Sequence, residues 1–323
     1  MSQKILPYKI PKMMLTYPYN AFYFGILEAN NIDYDNIILN DFLELYYFKK
    51  CKIHKIDFRN SGMFEFNRFK SIEFPETNNI IETIKEHINK GYYAILMLNQ
   101  RYFLDENIHS TWDFCHDWLI YGYDDSTKQF YCSSYVSAIM GTIKISYSEI
   151  KISFKKVLPQ YIKPSPSYFR NHFIKINFDW KENKITKETL YGNIKRMFFP
   201  KHTARDGYWH PVAGIYSLDK LLRKIKKVNL RKGKGTAIFI QNIRTIYDFR
   251  QNVLLCLKRM NIDKVTIAQY GTIVTETYKI LLLAFKYNQN GNKKTLNTIY
   301  QKLKTENKDE RKILKFILKT HKP

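Results

Sequence analysis

The segment FCHDWLIYGYDDSTKQFYC, from Phe114 to Cys132, constrains the fold more than any other part of the chain. Two runs rich in aromatic and aliphatic residues flank an Asp-Asp-Ser-Thr stretch, which is the pattern of a β-hairpin and its turn. The 25 tyrosines and 22 phenylalanines of the chain also favour sheet-rich packing. The segment therefore predicts two paired strands, with His116 at the start of the first.

Helices are predicted before this hairpin. NAFYFGILEANN predicts a helix from about Asn20 to Asn30 and Asn31, and NIIETIKEHINKG predicts a second that ends before Gly91. YYAILMLN then reads as a buried strand, and TIKISYSEI, after the hairpin, as a last alternating strand. Helices followed by a run of strands indicate an α+β fold.

The composition changes at LPQYIKPSPSYF, Leu158 to Phe169, where three prolines and two serines disfavour regular structure. We interpret this stretch as a linker between one domain over residues 1–160 and another over residues 161–323. The second half is predicted to be mainly helical. In SLDKLLRKIKKV, for example, apolar residues recur at helical spacing and Ser217 is a candidate N-cap.

The positive charge of the chain lies in its second half. Residues 1–160 carry 18 Lys and Arg against 18 Asp and Glu, whereas residues 161–323 carry 35 against 11. The segment from Lys220 to Lys234 holds eight of these charges in 15 residues. Nucleic acid, an acidic protein or a lipid surface would each be attracted by such a field, although a lysine run is more often a solvated helix face.

Membrane-spanning and secreted classes are disfavoured. The longest apolar runs, YYAILML and ILLLAF, are much shorter than the ~20 residues of a membrane span, and the first residues lack a signal-peptide pattern. We therefore expect a cytoplasmic protein without a membrane span. Its four cysteines have no CxxC or zinc spacing, so neither a disulfide framework nor a metal site is expected.

Four segments together resemble one family: YNAFYFGIL, FCHDWLIYGYDDSTKQFYCSSY, GIYSLDKL and YDFRQNVLLCLKRM. They are similar to the butirosin-biosynthesis-protein-H-like family, which are papain-like proteins of bacterial natural-product clusters, and to a thiotemplate amide-forming enzyme of the closthioamide type. The resemblance spans most of the chain, and its specific part is the His…GYDD…FY block. It implies a papain-like N-terminal domain beside the helical, basic one. It also implies a Cys-His-Asp site that transfers an acyl or peptidyl group from a carrier-protein thioester to an amine, as in non-ribosomal peptide biosynthesis.

Carried over residue by residue, the resemblance assigns the base to His116. Papain-like enzymes hold their nucleophile at the start of the first long helix, where the macrodipole and N–H groups favour a thiolate. That place is taken here by Ala21, which has no nucleophile. Ser134, or alternatively Ser133, falls where an aspartate is common, and a serine can still accept a hydrogen bond from an imidazole N–H.

The alanine has two explanations. Either the chain is a Cys→Ala variant of an active enzyme, or the natural protein has lost catalysis. Ser134 weakens the first explanation, because two triad members are rarely altered together. In the active form a cysteine at position 21 would be acylated, His116 would act as base and then as acid, and Ser134 would orient the imidazole. No ATP, metal or other cofactor is implied, since the phosphopantetheine is carried by the partner protein.

Residues near these positions are candidates for substrate binding. Asn20 could supply a hydrogen bond to an oxyanion or act as the helix N-cap. Tyr17, Tyr19 and Trp118 could form an aromatic wall that keeps water from an acyl-enzyme.

Other polar residues and thiols of the hairpin have simpler interpretations. Cys115 and Asp117 flank His116 in a strand, so alternation points both away from it. Cys132 is expected to be a packing residue, while Asp124 and Asp125 are expected in the turn.

The partners implied are an acidic acyl or peptidyl carrier protein and a small amine acceptor. Candidate contacts to the carrier are the basic residues Lys220, Arg223, Lys224, Lys226, Lys227 and Arg231. Two alternatives remain: a non-catalytic papain-like homologue that binds a carrier protein or an acyl chain, and a nucleic-acid-binding protein. The second is disfavoured, because no nucleic-acid module is recognisable.

Overall fold

The computed structural model describes residues 2–50, 53–58, 68–136, 139–159, 171–180, 185–198, 212–225 and 234–321. The chain is a mixed α+β protein that divides into two compact units, Met1–Tyr34 with Gly62–Lys181, and Asp35–Ser61 with Glu182–Pro323. This division differs from a single boundary near residue 160. Residues 35–61 belong to the second unit because their strands pair there, and residues 171–180 belong to the first for the same reason.

The described residues of the first unit form seven strands and three helices, and the seven strands make one sheet. Its strands are β1 (Gln3–Ile5), β4 (Phe69–Glu73), β5 (Tyr93–Asn99), β6 (Cys115–Asp124), β7 (Gln129–Val136), β8 (Ile139–Ser146) and β9 (His172–Ile176). Its helices are α1 (Pro18–Ala29), α3 (Ile80–Asn89) and α4 (Tyr147–Lys155), with a 3-10 turn at Gln100–Tyr102.

The sheet of the first unit is antiparallel throughout, in the order β4-β9-β5-β6-β7-β8. Strand β6 has partners on both edges. Along one edge β5 pairs with Cys115–Ile120 and β1 with Gly122–Asp124, while β7 pairs along the other. All seven residues of β5 are buried, which agrees with its continuous apolar run.

Helices pack on this sheet in two layers. Helices α3 and α4 contact each other and β5, whereas α1 contacts β6 and β7. The rings of Phe130 of β7 and Tyr147 of α4 lie 4.6 Å apart, whereas Ser133 bonds to Tyr8 in the segment before α1. Because successive strand residues point to opposite faces, β7 separates the α1 layer from the α3 and α4 layer.

The predicted hairpin is confirmed, and the predicted last strand is wrong in two respects. Strand β8 ends at Ser146, whose side chain and Glu149 form a capping box that starts α4. The capping signal therefore overrides the alternating pattern in TIKISYSEI. A further strand, β9, also follows β8 in the chain and lies between β4 and β5 in the sheet.

The second unit is mainly helical, as predicted, with a small sheet in the order β10-β2-β3 that was not predicted. Its strands are β2 (Leu45–Lys50), β3 (Ile53–Phe58) and β10 (Val212–Ala213), and its helices are α2 (Asp35–Asp41), α5 (Lys187–Phe198), α6 (Tyr216–Ile225), α7 (Lys234–Arg259), α8 (Lys264–Asn290) and α9 (Lys293–Thr320). Ser217 lies inside α6, so it is not the N-cap. Its hydroxyl donates to Leu45 O at 3.3 Å instead.

The three long helices of the second unit pack in chain order, α7 on α8 and α8 on α9. Short connections join them, which makes sequential helices neighbours. Asp263 caps the start of α8 by accepting from Thr266 N, and Gly291 ends it at a φ of 65°. No helix in the described ranges is long and apolar enough to span a membrane.

Gly25 lets the N-terminal segment pass close over α1. A Cβ at this position would lie 2.3 Å from Lys9 O and 2.6 Å from the Tyr8 ring. Neither distance is tolerated, so either the segment or the helix would have to move. Glycine weakens the helix locally but permits this close approach.

We predict that Gly25→Ala destabilises the protein by about 1–3 kcal/mol, the range for overpacking. Gly271→Ala is the matched control, because a Cβ at that position in α8 meets nothing within 4 Å. The control should stabilise by about 0.5–1 kcal/mol through helix propensity. Urea unfolding of both variants measures the difference. Equal effects of the same sign would contradict the close approach.

Candidate functional site

His116 lies at the start of β6, beyond the point where the pairing with β7 stops. The ladder between these strands runs from Asp124 and Gln129 to Leu119 and Ser133. Beyond it, the Ser134 hydroxyl donates to Asp117 O at 2.7 Å. A side chain therefore takes the place of a backbone donor at this carbonyl.

The imidazole of His116 joins the same hydrogen-bond group. Its Nδ1 is 3.2 Å from Asp117 O and 3.4 Å from Ser134 Oγ. A carbonyl can only accept, so Nδ1 carries the proton and Nε2 keeps a lone pair. This tautomer is the one required of a base that acts through Nε2.

Desolvation lowers the pKa of His116 below the usual value, and the hydrogen bond to Asp117 O opposes it only in part. The imidazole is therefore neutral at pH 7. Ser134 is fully buried and is brought to His116 as predicted. The shorter hydrogen bond of Ser134 is the one to Asp117 O, at 2.7 Å, compared with 3.4 Å to His116 Nδ1. Ser134 therefore orients the imidazole mainly through the Asp117 carbonyl.

Tyr135 connects His116 to the segment that leads into α1, and the sequence reasoning missed it. Its ring centroid is 5.8 Å from that of His116. Its hydroxyl donates to Leu15 O at 3.0 Å and also reaches Thr16 O. Its place directly after Ser134 did not reveal it, because neighbouring strand residues point to opposite faces of the sheet.

The start of α1 differs from the predicted one. The helix begins at Pro18 with Tyr17 as N-cap, so Asn20 is not the cap. Proline at this position is favourable because it has no N–H to satisfy. Ala21 is fully buried, and its N–H donates to Tyr17 O at 3.0 Å. Position 21 therefore lies one turn inside the helix, with its N–H already used.

Asn20 has a fully buried side chain whose Nδ2 and Oδ1 find no hydrogen-bond partner among the described residues. Leaving a buried amide unsatisfied costs about 1–3 kcal/mol. Such a group is uncommon in folded proteins and often marks a functional position. Asn20 is therefore not the N-cap, and its other predicted role, donation to a bound group, stays a prediction.

The three aromatic candidates do not form one wall. Tyr17 and Tyr19 stack with ring centroids 5.2 Å apart at the start of α1. Trp118 is fully buried and meets Phe103 edge-on at 5.0 Å. Since it has no exposed surface, Trp118 is a packing residue of the sheet and does not line an open cleft.

The described thiols are packing residues. Cys115 lies in a buried cluster with Met97 and Val157, and burial raises its pKa. Burial also raises the pKa of Cys132 and brings that of Cys256 to about 12. These thiols are protonated at neutral pH and are not activated nucleophiles. Cys51 lies outside the described residues.

The basic candidates are described in part. Lys220, Arg223 and Lys224 lie on α6, with Arg223 the most exposed, whereas Lys226, Lys227 and Arg231 fall outside the described residues. The structure adds a basic groove of about 400 Å³ between α6 and α9. Its cationic residues, which sequence reasoning missed, are Lys304, Lys308, Arg311, Lys312 and Lys315. These residues are spread along α9, so the sequence shows no dense run of basic residues that would predict the groove.

Asp117 follows His116 and is almost completely buried, at 7% exposure. No hydrogen bond or ion pair from a described residue reaches its carboxylate. Burial raises its pKa to about 7. A buried carboxyl with such a pKa is common at functional sites, but strand alternation points this one to the face of β6 opposite the His116 imidazole.

We predict that the contribution of Asp117 to stability falls as the pH rises from about 4 to about 7, because the unfolded chain releases the Asp117 proton first. Asp117→Asn removes this penalty, so its gain should be near zero at pH 4 and on the order of a few kcal/mol at pH 8. Urea midpoints at both pH values test this, with the exposed Glu106→Gln as control. A gain independent of pH would refute it.

The described residues contain no group of three or more His, Cys, Asp or Glu side chains that could hold a metal ion. The sequence matches no protein-family model and no curated protein. The described groups are thus an oriented, neutral imidazole at His116, a buried carboxyl on Asp117 and an unsatisfied amide on Asn20. Among the described residues, the hydrogen bonds of the imidazole go to Asp117 O and Ser134 Oγ. Its Nε2 can accept a proton.

Proposed function

We propose that this chain is a papain-like homologue that binds an acylated phosphopantetheine arm, carried by an acidic carrier protein, without forming an acyl-cysteine. The observation that carries the proposal is the buried alanine at position 21, combined with protonated, buried thiols at the described cysteines. In this proposal His116 supplies an imidazole, while position 21 and the described cysteines supply no thiolate for it to activate.

Binding is supported by the polar groups that remain. Asn20 offers an amide whose donors and acceptor are unused by described residues. His116 offers a lone pair on Nε2. An acyl-pantetheine presents carbonyl and amide groups that pair with such donors and acceptors, and a buried site strengthens each bond.

An acidic partner is supported by charge. The second unit carries exposed cations on α6 and α9, among them Arg223, Lys304 and Lys308. Complementary charge accelerates encounter with an acidic protein. Nucleic acid would be attracted by the same charge and is therefore an outcome to be tested.

Acyl transfer is the second candidate, and the tautomer of His116 favours it. With cysteine at position 21, the thiol proton would pass to His116 Nε2 as sulfur attacks the thioester carbonyl, and the pantetheine thiol would leave with that proton. An amine would then attack the acyl-cysteine, lose its proton to Nε2 and release the cysteine thiol. The amide forms without ATP or a metal.

Mass spectrometry after incubation with octanoyl-pantetheine distinguishes the two candidates. We expect no acyl mass on the chain with Ala21. If Ala21→Cys gains the acyl mass and Ala21→Cys with His116→Ala does not, the site is that of a disabled enzyme. Acylation of the Ala21 chain itself would overturn the binding proposal, since it requires another nucleophile.

Charge reversal tests the partner. We expect Lys220→Glu with Arg223→Glu to weaken binding of an octanoyl-loaded acyl carrier protein by about tenfold at low salt. Lys151→Glu with Lys155→Glu, on exposed positions of α4, is the control and should leave binding unchanged. No carrier binding, together with tight, steeply salt-dependent binding of an oligonucleotide, would instead identify a nucleic-acid-binding protein.

A further inference from the structure

A groove of about 700 Å³ lies between α8 and α9 of the second unit. This volume is typical of small-molecule sites. Its walls include Ile273 and Ile313, its amides are those of Gln269 and Gln301, and Glu306 contributes a carboxyl. The acyl-binding proposal uses none of these residues.

A buried ionic cluster lies behind the groove. Arg250 of α7 is fully buried, and its Nε and Nη2 donate to Glu310 Oε2 at 3.2 and 3.0 Å. The hydroxyl of Tyr270 donates to the other oxygen of Glu310. Glu310 is therefore fully hydrogen-bonded and paired with one guanidinium.

Glu306 is the second carboxylate of this cluster. Its Oε2 accepts from Arg250 Nη1 and lies 3.2 Å from Thr277 Oγ. Its Oε1 accepts from no described residue. Glu306 is only 8% exposed, and it lines the groove. One guanidinium thus faces two carboxylates, and a buried charge without a counter-ion is costly.

The lysines of the groove do not supply the missing positive charge. Lys302 Nζ is 3.1 Å from Glu276 Oε2, and Lys312 Nζ is 2.8 Å from Asp309 Oδ1. Each is thus paired with a carboxylate other than Glu306. Glu306 therefore needs either a proton or a cation from outside the chain.

We propose that this groove binds a primary alkylammonium ion, with the ammonium on Glu306 Oε1 and the alkyl part between Ile273 and Ile313. The amides of Gln269 and Gln301 are hydrogen-bond acceptors for the remaining ammonium protons. The groove thus selects a cation in a unit whose surface is strongly positive. The ammonium belongs either to a free amine or to a lysine side chain.

Burial raises the pKa of Glu306, with Arg250 opposing and Glu310 adding to the rise. Without a ligand, the carboxyl consequently takes up a proton more readily than an exposed glutamate. An ammonium ion competes with that proton. Binding is therefore expected to release protons at mildly acidic pH.

Titration calorimetry with n-butylammonium, in two buffers of different ionisation enthalpy, tests the proposal on the full chain. We expect saturable binding that releases protons at mildly acidic pH. Butanol should not bind, since it lacks the charge. Nα-acetyl-lysine methylamide is the second ligand: tighter binding than butylammonium assigns the ammonium to a lysine side chain, and equal or weaker binding assigns it to a free amine.

Two variants locate the site. Glu306→Gln keeps an acceptor for Arg250 and removes the surplus charge, so the fold should hold while affinity falls at least about tenfold. Thr305→Trp fills the groove from an exposed position without touching the ionic cluster, and it should lower affinity as much. The exposed Glu188→Gln is the control. No saturable binding to the unaltered chain, or full affinity in both variants, would overturn the proposal.

Discussion

Strand β6 needs a hydrogen-bond partner for every buried peptide group, and this requirement organises the first unit. Two strands, β5 and β1, share one edge of β6, and β7 covers most of the other. At the start of β6 the β7 ladder ends, and the Ser134 hydroxyl satisfies Asp117 O in its place. His116 lies at that point, and its Nδ1 bonds to the same carbonyl. The hydrogen bond that satisfies Asp117 O therefore also helps to orient the imidazole.

Much of this unit could be predicted from the sequence, since its signals are local. The hairpin, the buried β5 and the Asn79-capped α3 follow from alternation, an apolar run and capping chemistry. The approach of Tyr135 to Leu15 O could not be predicted, because it joins residues about 120 positions apart. The predicted start of α1, near Asn20, was two residues too late. Proline is favourable at the first position of a helix, whereas the apolar pattern indicates the middle of the helix and not its first residue.

The candidate site was likewise predictable only in part. His116 and Ser134, with Ser133 as the alternative to the serine, were assigned through the family resemblance, and the structure places Ser134 Oγ 3.4 Å from His116 Nδ1. The pKa values of His116 and Asp117 depend on burial, which emerges from the packing of α1 and the sheet. The excess of lysine in the second half was evident from composition. The buried ionic cluster around Arg250 could not be predicted, because Glu306 and Glu310 are two charges among many on a long helix.

The contacts of Ser134 restrict which side chains position 134 can hold. Its hydroxyl proton is committed to the Asp117 carbonyl, and its oxygen faces the Nδ1–H of His116. An aspartate at this position would have no proton to give, so its carboxylate would face a carbonyl oxygen. Substituting aspartate for Ser134 alone would therefore break the hydrogen bond to Asp117 O that helps to hold the imidazole. A carboxylate can occupy position 134 only together with changes around Asp117.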